Sequence, residues 1–324
     1  MNIVLTFNYH NKDKYGIVSE EFDTPETIDN IKKAVEQLGH TVFLIEADEN
    51  FYGALKRLKD QGKVDFVFNY AVGIYGRSRE AHIPAICEML QIPYSASDVL
   101  STALCEDKGR SKEILEYHNI PTPAFQIFRS PDEQFTQSLD FPLIIKYAYQ
   151  GTSIGLEDEK AVVRDVEEMK GRIHFLYNLF PQNVIVEEYI SGREFTVGFY
   201  GNHDDLVLFP LVEIHPSSNQ KKENWIFNSR QQPVTSDVII DSQAKDLIYD
   251  LVKKIIDVFE LRDWGRVDLR FDEHLNQPYI LEINNCAHLS LTSVYYEGAK
   301  AYGLSHSQLI QNMLNSALRR YDML

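Results

Sequence analysis

The sequence predicts an α/β protein with more than one domain. Three observations carry this: apolar runs alternating with helical patterns over the first hundred residues, a change of character near Ser101, and a late pair of alternating runs that reads as a β-hairpin. The opening runs lie at Ile3 to Phe7, Val42 to Ile45 and Asp65 to Phe68, and their rhythm with the helices between them implies a parallel sheet. The first helix is punctuated at both ends: Thr24 is placed to cap it, Pro25 opens it, Ile28, Ile31, Val35 and Leu38 share one face, and Gly39 ends it. No GxGxxG follows the first strand, so a dinucleotide-binding domain of the usual kind is not supported.

Beyond Ser101 a helix from Asp107 to His118 leads into strand-rich sequence running through Ile190, with Ile120 to Phe128 as a turn into a strand. Further strands follow Gly192, then a polar stretch from Pro216 to Ser236, a long helix from Ser242 to Phe259, the hairpin from Gly265 to Asn284 and a closing helix from Ser305 to Leu318. The polar stretch has no periodicity and is long for a connection, which suits a lid.

Composition narrows the function. A chain of 324 residues has room for two or three domains, and 44% hydrophobic with 25% charged residues is the profile of a soluble globular protein. No apolar stretch approaches the roughly 20 residues that span a bilayer, and the opening MNIVLTFNYHNKDK lacks the build of a secretory signal. The cytoplasm is therefore the expected compartment, with no membrane partner. Cys87, Cys105 and Cys286 form no CxxC pair and are expected to be reduced thiols, two at least in packed positions. A formal net charge of −16 disfavours a nucleic-acid partner, whose phosphates need a positive surface. It leaves room for a nucleotide, because one pocket can be locally basic.

The hairpin is the strongest chemical signal. In Trp264 to Phe271, alternation sets Val267, Leu269 and Phe271 on one face and Arg266, Asp268 and Arg270 on the other. In Pro278 to Asn285, Leu281 and Ile283 oppose Glu282 and Asn284. Asp268, Glu282 and Asn284 then converge beside Arg266, and two carboxylates with an amide oxygen suit Mg²⁺, a hard cation that takes oxygen ligands. On an arbitrary hairpin the same row is simply a solvated polar face; the neighbouring segments change that reading. Val184 to Val197 ends an apolar strand in Glu187 and Glu188, followed by Gly192 and Glu194: a strand edge for a base and a carboxylate for ribose hydroxyls. Phe141 to Gly155 delivers Lys146 from a buried strand into a Gly, Thr and Ser loop whose backbone N–H groups can wrap phosphates.

Taken in order, Leu90 to Leu115, the Lys146 loop, Glu187 to Glu194 and the hairpin resemble the ATP-grasp superfamily and, within it, the D-alanine:D-alanine ligase group. The similarity runs from about Asp65 to the end. It implies a three-domain ATP-grasp architecture, a Rossmann-like parallel sheet over residues 1–100 and two α+β units, 101–190 and 191–324, clamping ATP. It implies an ADP- and phosphate-forming carbon–nitrogen ligase that makes an acyl phosphate and then an amide, acting on small-molecule carboxylate and amine substrates, and a homodimer by analogy. Carried over by position, Lys108 and Lys146 meet ATP phosphates, with Thr152 and Ser153 on the closing loop. Glu187, Glu188 and the backbone near Ile190 hold adenine, and Glu194 the ribose. Asp268, Glu282 and Asn284 hold two Mg²⁺ ions, with Mn²⁺ as the alternative metal. Arg266, with Lys146 and Ser153, serves the reacting groups, its planar fork suiting an oxyanion.

The departures from the family gather on the substrate side. Where the family has a Gly-Gly, Ser and Glu loop, this chain has Phe7 to Asp23, leaving Glu20 or Glu21 as replacements. Where it has Thr-x-Pro-Gly, this chain reads NNCAHLSLTS, putting His288 in place of glycine and Ser290 nearby. The lid offers only Lys221, Lys222 and Arg230 for phosphate. Arg77, Arg79 and Glu80 occupy the second substrate loop, with exposed arginines at a helix start more often solvated than binding. The expected reaction is thus amide formation with an amino-acid substrate other than D-alanine; the alternatives are a D-alanine:D-alanine ligase and a non-catalytic ATP-binding module, against which the retained charged residues argue.

Overall fold

The computed structural model describes residues 1–136, 138–149, 151, 161–216, 234–239 and 244–324. The chain opens with strand β1 (Asn2–Phe7), a short helix α1 (Lys12–Tyr15), α2 (Pro25–Glu36), β2 (Thr41–Glu46), α3 (Phe51–Asp60) and β3 (Phe66–Asn69). The three strands pair in parallel in the order β2-β1-β3. Both faces are covered, as parallel sheets require. Ile3, Leu5 and Phe7 point to one side, into a core with Ile28, Ile31 and Val35 of α2. Val4 and Val67 point to the other, against Phe51 and Leu55 of α3 and against Ile83 and Cys87 of α4 (His82–Met89). Thr24 caps α2 by accepting from Thr27 N, as its sequence predicts. Leu38 lies beyond the end of α2 and is 36% exposed, so it is not part of the buried face.

Two further helices follow, α5 (Val99–Glu106) and α6 (Lys108–Tyr117). The sequence predicts only the second. A four-stranded antiparallel sheet comes next: β4 (Phe125–Phe128), β5 (Leu143–Tyr147), β6 (Val162–Val163) and β7 (Val184–Glu188), in the order β4-β7-β5-β6. Under it packs α7 (Val166–Leu179), a helix inside sequence that reads as strand-rich. Its Met169, Ile173 and Leu176 keep helical spacing and join the sheet's core.

The third sheet holds the hairpin. It runs β11-β10-β8-β12-β13, with β9 on β8, from β8 (Arg193–Tyr200), β9 (Val207–Leu208), β10 (Leu211–Pro216), β11 (Val234–Ile239), β12 (Trp264–Asp272) and β13 (Gln277–Asn284). Helix α8 (Lys245–Val258) supplies Ile248, Val252 and Ile255 to its core. Two helices close the chain, α9 (Val294–Ala301) and α10 (His306–Arg320), the latter opened by a capping box of Ser305 and Gln308. Leu309, Met313 and Leu314 of α10 enter the same core as β1 and α2, so the end of the chain packs on its beginning. The polar stretch read as a lid falls almost wholly at 217–233, outside the described residues. No described helix is long and apolar enough to cross a membrane.

One detail of the hairpin differs from simple alternation. The register pairs Asp268 with Glu282 and then Leu269 with Ile280, a bulge that leaves Leu281 without a partner. Ile280 and Ile283 are therefore the buried pair, and Leu281 is half-buried instead of sharing the core face with Ile283.

Candidate active site

The site is built on the third sheet. Thr196 of β8, Asp268 of β12 and Glu282 of β13 stand in register as one row across three strands, with Arg266 opposite Asn284 one step along. Asp268 is held from three directions. Thr196 Oγ1 donates to its Oδ1 at 2.6 Å, Asn284 Nδ2 donates to its Oδ2 at 2.9 Å, and Arg266 donates through Nε to Oδ1 at 3.0 Å and through Nη2 to Oδ2 at 2.8 Å. Such charge-assisted forks fix orientation as well as adding energy.

Helix α6 delivers lysines to the same place. Asp107 caps it, accepting from Gly109 N and Arg110 N at 3.1 Å, and Lys108 N donates to Ala148 O at 3.0 Å, which ties the helix start to the end of β5. Lys108, far from being a surface lysine, is buried, and its Nζ lies 2.8 Å from Glu282 Oε1. One turn on, Lys112 faces the same way and is also buried. Its Nζ donates to Thr122 Oγ1 at 2.7 Å and lies 3.4 Å from Glu187 Oε1. Lys146 of β5 lies 3.0 Å from Glu187 Oε2. Glu187 is fully buried between these two lysines, and neither oxygen makes a well-angled hydrogen bond among the described residues. The pairing there is by charge.

Electrostatics joins the row to the lysines. Burial pushes the Glu282 carboxyl up, but Lys108, Lys146 and Arg266 override it and hold Glu282 below the usual carboxylate range. Burial likewise pushes the Lys108 ammonium down, and Glu282, Glu21 and Glu187 bring it above its ordinary value. Lys112 has less compensation: burial lowers it to about 8 despite Glu187.

Glu194 faces Arg270, whose Nε and Nη2 donate to Glu194 Oε2 at 3.0 and 2.9 Å while Nη1 donates to Ile190 O at 2.8 Å. The carbonyl and one of the carboxylate oxygens read as nucleotide contacts are thus organised by an arginine that the sequence reading left in the hairpin without a role. Glu188 points to the opposite side of β7 from Glu187, and its Oε1 accepts from Asp140 N at 2.8 Å. It does not join the cluster. Gly192 makes the turn before β8 with φ +133°, and a Cβ there would stand 2.2 Å from Phe271 O, so no other residue fits. Thr152 and Ser153 lie outside the described residues, as do Lys221, Lys222 and Arg230.

On the substrate side the expectation of solvated arginines fails for Arg79. Arg79 is 2% exposed; it donates to Glu21, its Nη1 lies 3.5 Å from Glu106 Oε1, and it sits on a loop bent at Gly73, where a Cβ would meet Arg79 O at 2.5 Å. Of Glu20 and Glu21, it is Glu21 that meets Arg79, and it also accepts from Gly151 N at 3.2 Å. Arg77 is half-exposed, pairs with Asp107 and lies over the Tyr149 ring at 4.7 Å. His288 sits outside this cluster, with Nε2 3.0 Å from Asp23 Oδ1 and Nδ1 3.1 Å from Ser290 Oγ. All three cysteines are free, Cys87 and Cys105 buried.

Between the two sides lies a cleft of about 370 Å³, counting its open mouth, lined by Arg79, Glu80, Glu106, Lys108, Tyr149, Gly151, Glu282, Asn284 and the segment around Cys286. Burial pushes the Glu106 carboxyl up to about 9, with Glu80 adding to the shift, and pushes Glu80 up to about 7 against the opposing pull of Arg79.

A clamp of two antiparallel sheets, with lysines from one unit aimed at a carboxylate row on another, defines the ATP-grasp class. A family model described as D-ala D-ala ligase C-terminus matches residues 114–315. An uncharacterized protein, y4sG, of Sinorhizobium fredii is 34% identical over 301 residues, covering 90% of this chain and 88% of that protein. A D-alanine--D-alanine ligase of Carboxydothermus hydrogenoformans is 30% identical over 311 residues, covering 92% and 95%. Among solved structures, D-alanine--D-alanine ligase from Bacillus anthracis complexed with ATP superposes with TM-score 0.76 at 21% identity, covering 99% of both chains. VanG D-Ala:D-Ser ligase from Enterococcus faecalis gives 0.72 at 20% identity, covering 97% and 98%. These structures show the shared fold. The chain belongs to the D-alanine–D-alanine ligase-like family of the ATP-grasp superfamily and is an ATP-dependent carbon–nitrogen ligase.

Proposed function

We propose that this ligase activates a carboxylate as an acyl phosphate and joins it to an amine, with an amino-acid substrate other than D-alanine. The observation that carries the reading is the field around Glu282: a carboxylate registered beside Asp268 and held ionised by Lys108, Lys146 and Arg266. A carboxylate approaching a phosphate brings like charges together, and positioned cations are what such chemistry needs. Lys108 and Lys146 neutralise phosphate oxygens. Arg266 offers its fork to the oxyanion that forms when the amine attacks. Glu187 stands between Lys112 and Lys146 and aims them by charge pairing.

The donor set also fits Mg²⁺. Asp268 and Glu282 present adjacent carboxylates, Asn284 adds an amide oxygen, and a cation already stands against each carboxylate, Arg266 on Asp268 and Lys108 on Glu282. When bound, two Mg²⁺ ions, held by Asp268, Glu282 and Asn284, would neutralise the negative charge of the phosphates. Glu194 with Arg270, and the backbone around Ile190, suit the nucleoside. We assign the three units 1–100, 101–190 and 191–324 to substrate entry, lysine delivery and the metal row.

What supports this substrate reading is the Glu21–Arg79 pair, which brings a buried guanidinium where a small amino acid would otherwise meet a carboxylate alone. A second reading, D-alanyl-D-alanine synthesis, is favoured by the names of the relatives. ADP release with Mg·ATP against L- and D-amino acids, singly and in pairs, with mass detection of the product, separates them. Release with D-alanine alone supports the second reading; release only with another amino acid or pair supports the first.

A further inference from the structure

We propose that Lys112 and Thr122 are positioning residues that set the Glu282 carboxylate in the metal row by fixing the strand that carries it. The inference rests on the ligase reading above and names what holds that carboxylate in place.

Glu282 follows the bulge residue Leu281, so its orientation depends on how β13 is fixed at Ile280. Both backbone groups of Ile280 are tied outside the hairpin. Its N donates to Pro121 O at 2.8 Å, and its O accepts from Thr122 Oγ1 at 2.8 Å. A parallel pairing that starts with the first of these bonds would next bring the N–H of residue 123 to Ile280 O, and residue 123 is proline, which has none. The Thr122 hydroxyl supplies the missing donor. Its one hydrogen is then committed, so toward Lys112 it can only accept, and Lys112 Nζ donates to it at 2.7 Å. Glu187 Oε1 stands 3.4 Å from the same ammonium.

Two lysines of α6 therefore grip β13 on either side of the bulge: Lys108 at the Glu282 side chain, and Lys112 through Thr122 at the Ile280 carbonyl. The two grips are not equivalent. On the ligase reading ATP draws Lys108 to its phosphates and Mg²⁺ draws Glu282, whereas the link from Lys112 through Thr122 to Ile280 uses no group that phosphate or metal claims. Burial disfavours the Lys112 ammonium, and a methionine would fill the same space without that cost. What the ammonium adds is direction, toward the hydroxyl on one side and Glu187 on the other.

The test is a titration of free Mg²⁺ into the full chain with saturating AMP-PNP, read by thermal melting, beside AMP-PNP alone in EDTA. Thr122→Val nearly keeps the shape and removes the hydroxyl. The half-saturating Mg²⁺ concentration should rise by about 10-fold or more, while the melting shift from AMP-PNP in EDTA persists. Thr122→Ser, which keeps the hydroxyl, should return to the native value. Lys112→Met should raise the Mg²⁺ requirement as Thr122→Val does, and the Thr122 pair decides should that variant not fold. An unchanged requirement in Thr122→Val or in folded Lys112→Met would overturn the inference. So would an equal loss in Thr122→Ser, or a parallel loss of the metal-free AMP-PNP shift, the mark of a purely structural role. A native protein indifferent to both AMP-PNP and Mg²⁺ would instead refute the ligase reading, and this inference with it.

Discussion

The two sides of the cleft solve the problem of buried charge differently. On the nucleotide side each carboxylate of the cluster has a cation of its own: Asp268 has Arg266, Glu282 has Lys108, Glu194 has Arg270, and Glu187 has two lysines. On the substrate side Glu21, Glu80 and Glu106 share Arg79. The first arrangement is complete before any ligand arrives. The second gathers three carboxyls around one guanidinium.

The sharpest way to break this contrast is Glu282→Gln, which keeps an acceptor for Lys108 but removes the charge. Mg²⁺-dependent ADP release should vanish while the protein still melts near its native temperature; retained turnover would remove Glu282 from the metal row. Arg266→Ala should slow turnover by about 100-fold or more with ATP affinity little changed, as read by single-turnover kinetics and calorimetry. In Glu187→Ala, Lys112 and Lys146 lose their shared carboxylate, and urea unfolding at neutral pH should report a loss of about 3 kcal/mol or more.

Titration sharpens the other side. The Glu106 carboxyl is raised in the fold, so the folded chain binds the proton more tightly than the unfolded one between its unfolded value near 4.5 and about 9. That stability is present below the window and lost as pH rises through it. Melting curves of the native protein and Glu106→Gln should therefore diverge in favour of the variant as pH climbs from 5 to 9. A constant gap would mean the carboxyl is not held neutral by its surroundings. The smallest effect belongs to Arg77→Ala: its side chain is 49% exposed, so loss of the Asp107 pair should cost under about 1 kcal/mol.

How much of this was legible follows from how local each signal is. Alternation along Arg266 to Asp268 and Glu282 to Asn284 set the row on one face, because period two is a property of neighbouring residues. It could not reveal the bulge at Leu281, which depends on the partner strand. Lys112 carried a signal that was passed over, being four residues after Lys108 and so on the same helical face. The Glu21, Arg79 and Glu106 cluster joins residues far apart in sequence. No spacing rule links them, and the loop that buries Arg79 looks like any polar turn. Helix α7 was hidden by aromatic and β-branched residues that fit a strand as well as a helix.

The packing of α10 on β1 and α2 has a consequence in time. A ribosome makes β1, β2 and β3 long before Leu309, Met313 and Leu314, which cover one face of that sheet. The Asp263 carboxylate, which accepts from Ala96 N at 2.8 Å and from Arg320 Nη2 at 2.8 Å, latches only when the final turn of α10 has emerged. The opening hundred residues therefore wait, half-covered, through the synthesis of the catalytic sheets. A nascent chain arrested before residue 305 should expose that apolar face to chaperones, and the emergence of α10 is the event that ends the exposure.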